Sequence, residues 1–304
     1  MTGTLNISYL SAGLEGAGEN PVMLVALLML IVGFGLQAGV FPFHTWLPDA
    51  HMAAPSPVSA VLSGVMVKTG VYGLVRVLFP IFTPMYGSWS ITLAVFAVLT
   101  MLVGNLSALM QDDVKRLLAF STIANVGYIL LGLAVGSERA LTGSLFHILN
   151  HAVVKALLFL CAGAFIHGAG TRSLRELSGI RGSMPITGTV FVLGTLALAG
   201  IPGLNLFWSE LLIITAGVEA GMTIFSLLMV LNIVISAAYC LRMIQTIAIN
   251  EATPSSRRAE EAPTLMLIPI LALSLLSIVI GVYPSPFQSF SEEAARTALN
   301  LTSN

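Results

Sequence analysis

Long apolar runs are the feature of this sequence that most constrains its fold. A helix that crosses the hydrocarbon core of a bilayer needs about 20 mainly apolar residues, and runs of that kind recur along the chain. Apolar residues make up 56% of the sequence and charged residues only 9%, whereas a soluble domain carries roughly 25% charged residues. So few charges cannot cover a water-facing surface. The chain is therefore predicted to be an all-α, multi-pass membrane protein.

Nine apolar segments have the composition of buried or lipid-facing helices. They are residues 21–40, 57–79, 89–110, 114–136, 139–168, 185–200, 206–219, 221–249 and 263–283. Two of them, 185–200 and 206–219, are too short to span a bilayer alone. We predict that they form one broken span, which gives about eight crossings.

Proline and glycine interrupt the chain at two places within apolar sequence. Gly200, Pro202 and Gly203 separate the two short segments, and Pro42 follows the first apolar segment. Backbone breaks at membrane depth survive only where protein or a water-filled cavity satisfies the freed polar groups. The breaks therefore indicate a transport route between repeats, and simple turns at the membrane face are the alternative.

Positive charge is concentrated in one set of loops. With eight crossings, this set contains Lys115, Arg116, Arg172, Arg175, Arg181, Arg257 and Arg258. The other set has little beyond Arg139. Because cytoplasmic loops are enriched in Lys and Arg, we predict that the first set is cytoplasmic and that both termini face outside.

Lys68 lies near the middle of segment 57–79. At 1.5 Å per residue it is about 17 Å from the start of the helix, too deep for its ammonium group to reach the interface easily. An ionisable residue at this depth is a functional candidate. Lys68 is thus a candidate proton relay, with a structural ion pair as the alternative.

His147, His151 and Lys155 follow one another at intervals of four residues. This spacing places all three on one face of a helix, over about 12 Å of its axis. Histidine titrates near neutral pH and has two nitrogens that can carry protons, so the face predicts a proton path. Metal binding by the two histidines is the alternative, but no acidic third ligand is near them in the sequence.

Glu210 and Lys115 are two further candidates. Glu210 follows the second break in the first turn of segment 206–219, where the helix dipole favours a carboxylate. It is either a dipole partner of that helix or a terminal proton acceptor beside the break. Lys115 begins segment 114–136 next to a loop, and its position alone is typical of an anchor at the membrane face.

Four stretches of the chain resemble the signature of one family. They are FHTWLPDAH at 43–51 with APSPVSAVLSGVMVK at 54–68, DVKRLLAFST at 113–122, HILNHAVVKALLFL at 147–160, and GIPG at 200–203 with Ser209 and Glu210. In order and spacing, residues 21–283 resemble the antiporter-like subunits of respiratory complex I, of membrane-bound hydrogenases and formate hydrogenlyase, and of Mrp-type cation/proton antiporters.

The resemblance implies two inverted-topology repeats of five helices, each with one broken helix. It also implies a row of buried ionisable residues at mid-membrane, with Lys68 between two half-channels and Lys115 at the centre of the second. The full row is Lys68, Lys115, His147, His151, Lys155 and Glu210.

Two features depart from the family pattern. Most members have a lysine five residues before Pro42, where this chain has Gln37. The chain also begins about six helices late, so we expect either that another polypeptide supplies helices of the first half or that this subunit conducts through one half only. We expect a polar N-terminus (1–20), a remnant of the first repeat (21–88), the second repeat (89–249), and a final transmembrane helix with a short tail (250–304).

The expected function is proton translocation within a multi-subunit, redox-driven membrane complex of the hydrogenase or NADH/quinone type. The alternatives are a subunit of a Mrp-type Na⁺/H⁺ antiporter and a non-pumping structural subunit. No cofactor or metal motif is present, because Cys161 and Cys240 are isolated in apolar runs, so Fe–S, flavin or Ni–Fe centres are expected only in partner subunits. The expected partners are other membrane subunits, lipids, H⁺ and in one alternative Na⁺, with no nucleic acid. The expected location is a prokaryotic plasma membrane.

Overall fold

A computed structural model describes residue 10 and residues 20–300 of the chain. The predicted polar N-terminus lies almost entirely outside the described residues, as does the end of the tail at 301–304. The described residues are 81% helical. Within the described residues the only β-type pairing is one isolated bridge between Asp113 and Ser173. The predicted all-α class is therefore confirmed.

Twelve helices lie within residues 20–300. They are α1 (Pro21–Ala38), α2 (Trp46–Ala53), α3 (Ser56–Leu78), α4 (Tyr86–Leu109), α5 (Val114–Val135), α6 (Glu138–Ala169), α7 (Pro185–Leu198), α8 (Asn205–Glu219), α9 (Thr223–Ile249), α10 (Pro254–Arg258), α11 (Thr264–Val282) and α12 (Ser285–Asn300). Seven of them are long and apolar enough to cross a membrane: α1, α3, α4, α5, α6, α9 and α11. The pair α7 and α8 gives the predicted eighth, broken crossing.

Helix α5 lies at the centre of the bundle, and every residue of it except Arg116 is buried. It begins at Asp113, whose Oδ1 accepts the backbone N–H groups of Lys115 and Arg116 at 2.9 and 3.0 Å, which satisfies donors that a helix start leaves unpaired. It ends at Gly136, where φ is +69°. Its closest neighbour is α4, because a Cβ on Gly127 would lie only 2.7 Å from the backbone nitrogen of Met101.

The first apolar segment is interrupted, so the break at Pro42 lies within the fold. Helix α1 stops at Gly39 (φ +71°), and α2 resumes at Trp46. Within the break, the Phe41 N–H donates to Thr100 Oγ1 of α4 at 3.1 Å. This contact supplies the partner that a broken span needs at membrane depth. The peptide bond between Phe41 and Pro42 is cis.

Two ends of the bundle are defined by their contacts. At the Lys115 end, Lys115 donates to the Ala54 carbonyl and Arg172 donates to the Met52 carbonyl. At the Glu138 end, Arg139 pairs with Glu219, and Arg296 pairs with Glu138 at 2.6 Å. Helices α3 and α5 both run from the Lys115 end towards the Glu138 end, and α6 returns.

The tail forms more structure than the sequence predicts. Residues 285–300 make helix α12, which packs against α6 and is held at the Glu138 end by Arg296. Residue 89, where the second repeat is predicted to begin, lies inside α4.

Candidate functional site

Lys68 lies beside an irregular turn of α3. Residues Leu62–Met66 form a π turn, a feature that is often found at functional sites. The Lys68 ammonium group donates to the Ser63 carbonyl of this turn and is 4% exposed. The π turn thus provides the lysine with a polar partner inside an apolar span.

A series of polar contacts leads from Lys68 across α5 to α6. The Ser63 hydroxyl is 2.7 Å from Thr122 Oγ1, and Thr122 in turn donates to the Leu118 carbonyl at 3.0 Å. Lys155 of α6 donates to the same carbonyl at 3.0 Å, and also to Ser121 Oγ. Side chains and carbonyls of α5 therefore connect the two buried lysines.

His147 is held by hydrogen bonds at both ring nitrogens. Nδ1 is 3.0 Å from Ser209 Oγ of α8, and Nε2 is 3.0 Å from Asn125 Oδ1 of α5. The Asn125 amide donates to the Ser121 carbonyl at 2.8 Å. Ser121 therefore links the partners of His147 to those of Lys155.

This arrangement accommodates both protonation states of His147. Ser209 Oγ is 2.9 Å from the Leu206 carbonyl. While the Ser209 hydroxyl donates to that carbonyl, both nitrogens of His147 face acceptors, which suits the charged ring with two N–H groups. A neutral imidazole has one N–H donor and one acceptor. Rotation of the Ser209 hydroxyl to donate to Nδ1 suits that state, so His147 can gain or lose a proton without rearrangement of the helices.

His151 lies between His147 and Lys155 on α6. Its ring stacks on that of His147, with centroids 5.9 Å apart and an interplanar angle of 16°. It is fully buried, and neither ring nitrogen has a hydrogen-bond partner in the described chain. It can therefore exchange a proton with a mobile carrier without first breaking a protein hydrogen bond. We refer to Lys68, Lys155, His151 and His147 as the buried row.

Lys115 lies apart from the buried row, at the Lys115 end. Its contact with Ala54 holds it beside α2, yet its side chain is almost fully buried. Its position at one end of the bundle is that of the membrane-face anchor inferred from its place beside a loop. Its burial is what the family resemblance implies.

His51 was not predicted as a site residue, although it lies in the first family stretch. This side chain of α2 is fully buried, stacks on Phe159 at 4.6 Å, and has neither ring nitrogen hydrogen-bonded in the described chain. It interacts electrostatically with Lys155, Lys115 and Lys68. His51 therefore lies near Lys115 and near two lysines of the buried row.

Glu210 lies at the break between α7 and α8. It is 4% exposed, and its Oε2 is so close to Gly200 that a Cβ on that glycine would overlap it. The preceding residue, Ser209, contacts His147. The second break therefore places a carboxylate next to the end of the buried row, as the resemblance implies.

The other predicted site residues are placed as follows. Pro42 lies in the first break, and Pro202 and Gly203 lie in the second. Gln37 is in the last turn of α1 with its side chain exposed, away from the buried row. Among residues 20–300, no three His, Cys, Asp or Glu side chains gather as metal ligands would.

These features define a class of protein: a multi-pass helical bundle in which buried lysines and histidines are linked through a central helix, next to two broken spans. A family model described as NADH:quinone oxidoreductase/Mrp antiporter, transmembrane, matches residues 1–236. The chain belongs to this family.

Similar proteins occur in two kinds of membrane complex. The chain is 37% identical to NADH-quinone oxidoreductase subunit N of Desulforudis audaxviator, over 93% of this chain and 59% of that protein. It is 36% identical to a Na(+)/H(+) antiporter subunit of Alkalihalophilus pseudofirmus, over 94% of this chain and 38% of that protein. The chain thus spans well under two thirds of the length of these relatives.

Solved structures show the same fold. A chain of the archaeal membrane-bound sulfane sulfur reductase matches with a TM-score of 0.89 and 34% identity, over 99% of this chain and 61% of that chain. A chain of the Mrp complex from Dietzia matches with a TM-score of 0.90 and 26% identity, over 99% and 64%. The predicted antiporter-like fold is confirmed.

Proposed function

We propose that this chain translocates protons as a membrane subunit of a multi-subunit, redox-driven complex. The observation that carries the proposal is the series of buried polar contacts by which Thr122, Ser121 and Asn125 of α5 join Lys68, Lys155 and His147. Ionisable groups inside a bilayer are costly, and they mark ion pathways and proton relays. A proton moves along such a row when a change of charge at one group alters the protonation of the next.

The ends of the route follow from the placement of the remaining groups. His51 and Lys115 extend the buried row towards the Lys115 end, and Glu210 terminates it at the second break. The route involves no electron transfer within this chain, so electron-carrying centres belong to partner subunits. The relatives that are subunits of respiratory complexes support this choice.

A Mrp-type Na⁺/H⁺ antiporter is the second candidate, because the relative from Alkalihalophilus pseudofirmus and the Mrp complex of Dietzia are of this type. A purely structural subunit is the third. The buried row argues against the third, because buried charges in an idle scaffold would reduce stability without benefit.

The proposed location is a prokaryotic plasma membrane, with the Lys115 end in the cytoplasm and both termini outside. The orientation is supported by the Lys and Arg residues of that end, since cytoplasmic loops are enriched in them. Its partners are the other membrane subunits of the complex, with H⁺ as the transported ion.

Proton uptake by sealed vesicles that contain the assembled complex tests the proposal. We expect Lys155→Ala and Glu210→Gln each to lower the rate by about tenfold or more, by analogy with enzymes, in which a positioned side chain that transfers a proton contributes about 10²–10⁴-fold. The matched control is Glu219→Gln, an exposed glutamate that pairs with Arg139. Native gels report assembly. Normal uptake by both test variants would contradict the proposal.

The driving force separates the first two candidates. Uptake driven by an electron donor without added Na⁺ supports the redox-driven complex. Proton movement that follows a Na⁺ pulse, and needs no donor, supports the antiporter.

A further inference from the structure

A second group of polar side chains lies inside the bundle, between α4, α5 and α9. Asn105 Nδ2 donates to the Tyr128 hydroxyl at 3.2 Å and to the Asn232 carbonyl at 3.0 Å, and Tyr239 donates to Asn105 Oδ1 at 3.3 Å. Each of these side chains is at most 1% exposed. With Ser236, also of α9, we call this group the tyrosine cluster.

Three hydroxyl groups of the tyrosine cluster lie close to one another. Ser236 lies close to the phenols of Tyr128 and Tyr239, and its hydroxyl donates to the Ile233 carbonyl of its own helix at 2.8 Å, from which it can rotate towards either phenol. A hydroxyl group can donate one proton and accept another, so this series can pass a proton. Asn105 holds both phenols in place and does not itself need to change protonation.

One end of the tyrosine cluster meets the buried row. The Tyr128 ring makes an edge contact with the ring of His147, with centroids 6.0 Å apart and an interplanar angle of 77°. Glu210 interacts electrostatically with both Tyr128 and Tyr239. The cluster therefore lies at the point where the buried row approaches the second break.

The other end points towards the Lys115 end of the bundle. Arg242 is three residues beyond Tyr239 on α9 and is partly exposed. It donates to the carbonyls of Leu109 and Gln111, both at 2.7 Å, where α4 ends. Tyr239 and Arg242 are about one helical turn apart on α9, so the tyrosine cluster ends within one turn of a face of the bundle.

We propose that the tyrosine cluster is a branch of the proton route that connects His147 and Glu210 with the Lys115 end. Each hydroxyl accepts a proton on its oxygen and releases the proton that it carried, so no charge remains on the phenols after a transfer. This inference rests on the proposed function, because a branch requires a main route. It adds Tyr128, Ser236 and Tyr239 to the residues that carry protons.

The structural alternative is that the cluster only holds three helices together. Hydrogen bonds between helices in a membrane contribute to the packing of the helices, so in that case their loss would affect assembly more than the rate of an assembled complex. An experiment that distinguishes the two must therefore measure the rate of proton uptake per assembled complex, and how much that rate falls in D₂O.

The experiment compares Tyr128→Phe and Tyr239→Phe with Tyr86→Phe in the vesicle assay. Tyr86 is the matched control, because its hydroxyl also joins α4 to α5, by donating to the carbonyl of Val135 at 2.6 Å, but lies away from the cluster. We expect both test variants to assemble and to lose about tenfold in rate, with a larger slowing in D₂O than the wild type. The control should retain the rate and isotope effect of the wild type.

Lys155→Ala and Glu210→Gln, run alongside, separate this inference from the proposed function. If they lose uptake while both tyrosine variants match the control, the main route stands and the branch is overturned. Loss in the Tyr128→Phe variant alone also overturns the branch, because it confines the effect to the contact with His147. Should either phenylalanine variant fail to assemble, Ser236→Ala decides: a slower rate supports the branch, and an unchanged rate overturns it.

Discussion

At the scale of single residues, Gly200 couples backbone geometry to the position of a carboxylate. Its φ is +70°, a conformation that costs a residue with a side chain roughly 1–2 kcal/mol. A Cβ there would also overlap Oε2 of Glu210. Glycine is required at this position for both reasons. The second reason means that the backbone of the break and the Glu210 carboxylate are in direct contact.

We therefore predict that Gly200→Ala lowers proton uptake by about tenfold, because it displaces the Glu210 carboxylate from the end of the buried row. The control is Gly203→Ala, where φ is +89° but no atom lies within 4 Å of the added Cβ. Both variants should lose stability to a similar extent, while only Gly200→Ala should lose uptake per assembled complex. Equal uptake by the two variants would mean that the position of Glu210 is not critical.

The residues of the site differ in how well sequence could predict them. Lys68, His147 and Lys155 are evident because a charge or imidazole in an apolar run is rare and costly. Ser121 and Asn125 are common residue types whose role depends on which helices pack beside α5. His51 could have been noticed, because it is a histidine within the first stretch that resembles the family. Its closeness to three lysines, however, depends on the folding of α2 back into the bundle.

At the scale of helices, the first break is stabilised by a side chain from a different span. The Phe41 N–H, freed by the end of α1, donates to Thr100 Oγ1. A buried backbone donor without a partner costs about 1–3 kcal/mol. Thr100 thus contributes to the stability of a break that belongs to a different span.

We predict that Thr100→Val lowers the free energy of unfolding by about 1–3 kcal/mol, because valine keeps the shape of threonine but cannot accept this hydrogen bond. Thr92→Val on the same helix is the control, since Thr92 donates only to the Ser88 carbonyl of its own helix. Thermal unfolding of the purified protein in detergent measures the difference. Equal melting temperatures for the two variants would show that the Phe41 N–H finds another partner.

The boundaries of the nine predicted apolar helices agree with the structure to within three residues. Apolar length, capping residues such as Asp113 and glycines such as Gly136 determine where such helices begin and end. The sequence does not predict α2, α10 and α12 as helices. Helix α2 has only eight residues and contains Pro48, and α12 is polar enough to resemble a surface loop.

At the scale of the whole molecule, the two ends of the bundle differ in charge. The Lys115 end contains the loops that are rich in Lys and Arg in the sequence. They include Arg257 and Arg258 of the short helix α10. At the Glu138 end, Arg139 and Arg296 are each paired with glutamates. Since the bias of Lys and Arg sets orientation, the Lys115 end should face the cytoplasm.

Cysteine labelling of intact cells with a membrane-impermeant maleimide tests this orientation. The native Cys161 and Cys240 are fully buried, so the wild type should give little background. Glu293→Cys places a thiol on the exposed face of α12 at the Glu138 end, and Arg257→Cys places one at the Lys115 end. We expect the first variant to react in intact cells, and the second only after the membrane is opened. The reverse pattern would show that the protein has the opposite orientation in the membrane. The proposed branch through Tyr128 and Tyr239 would then open to the outside instead of the cytoplasm.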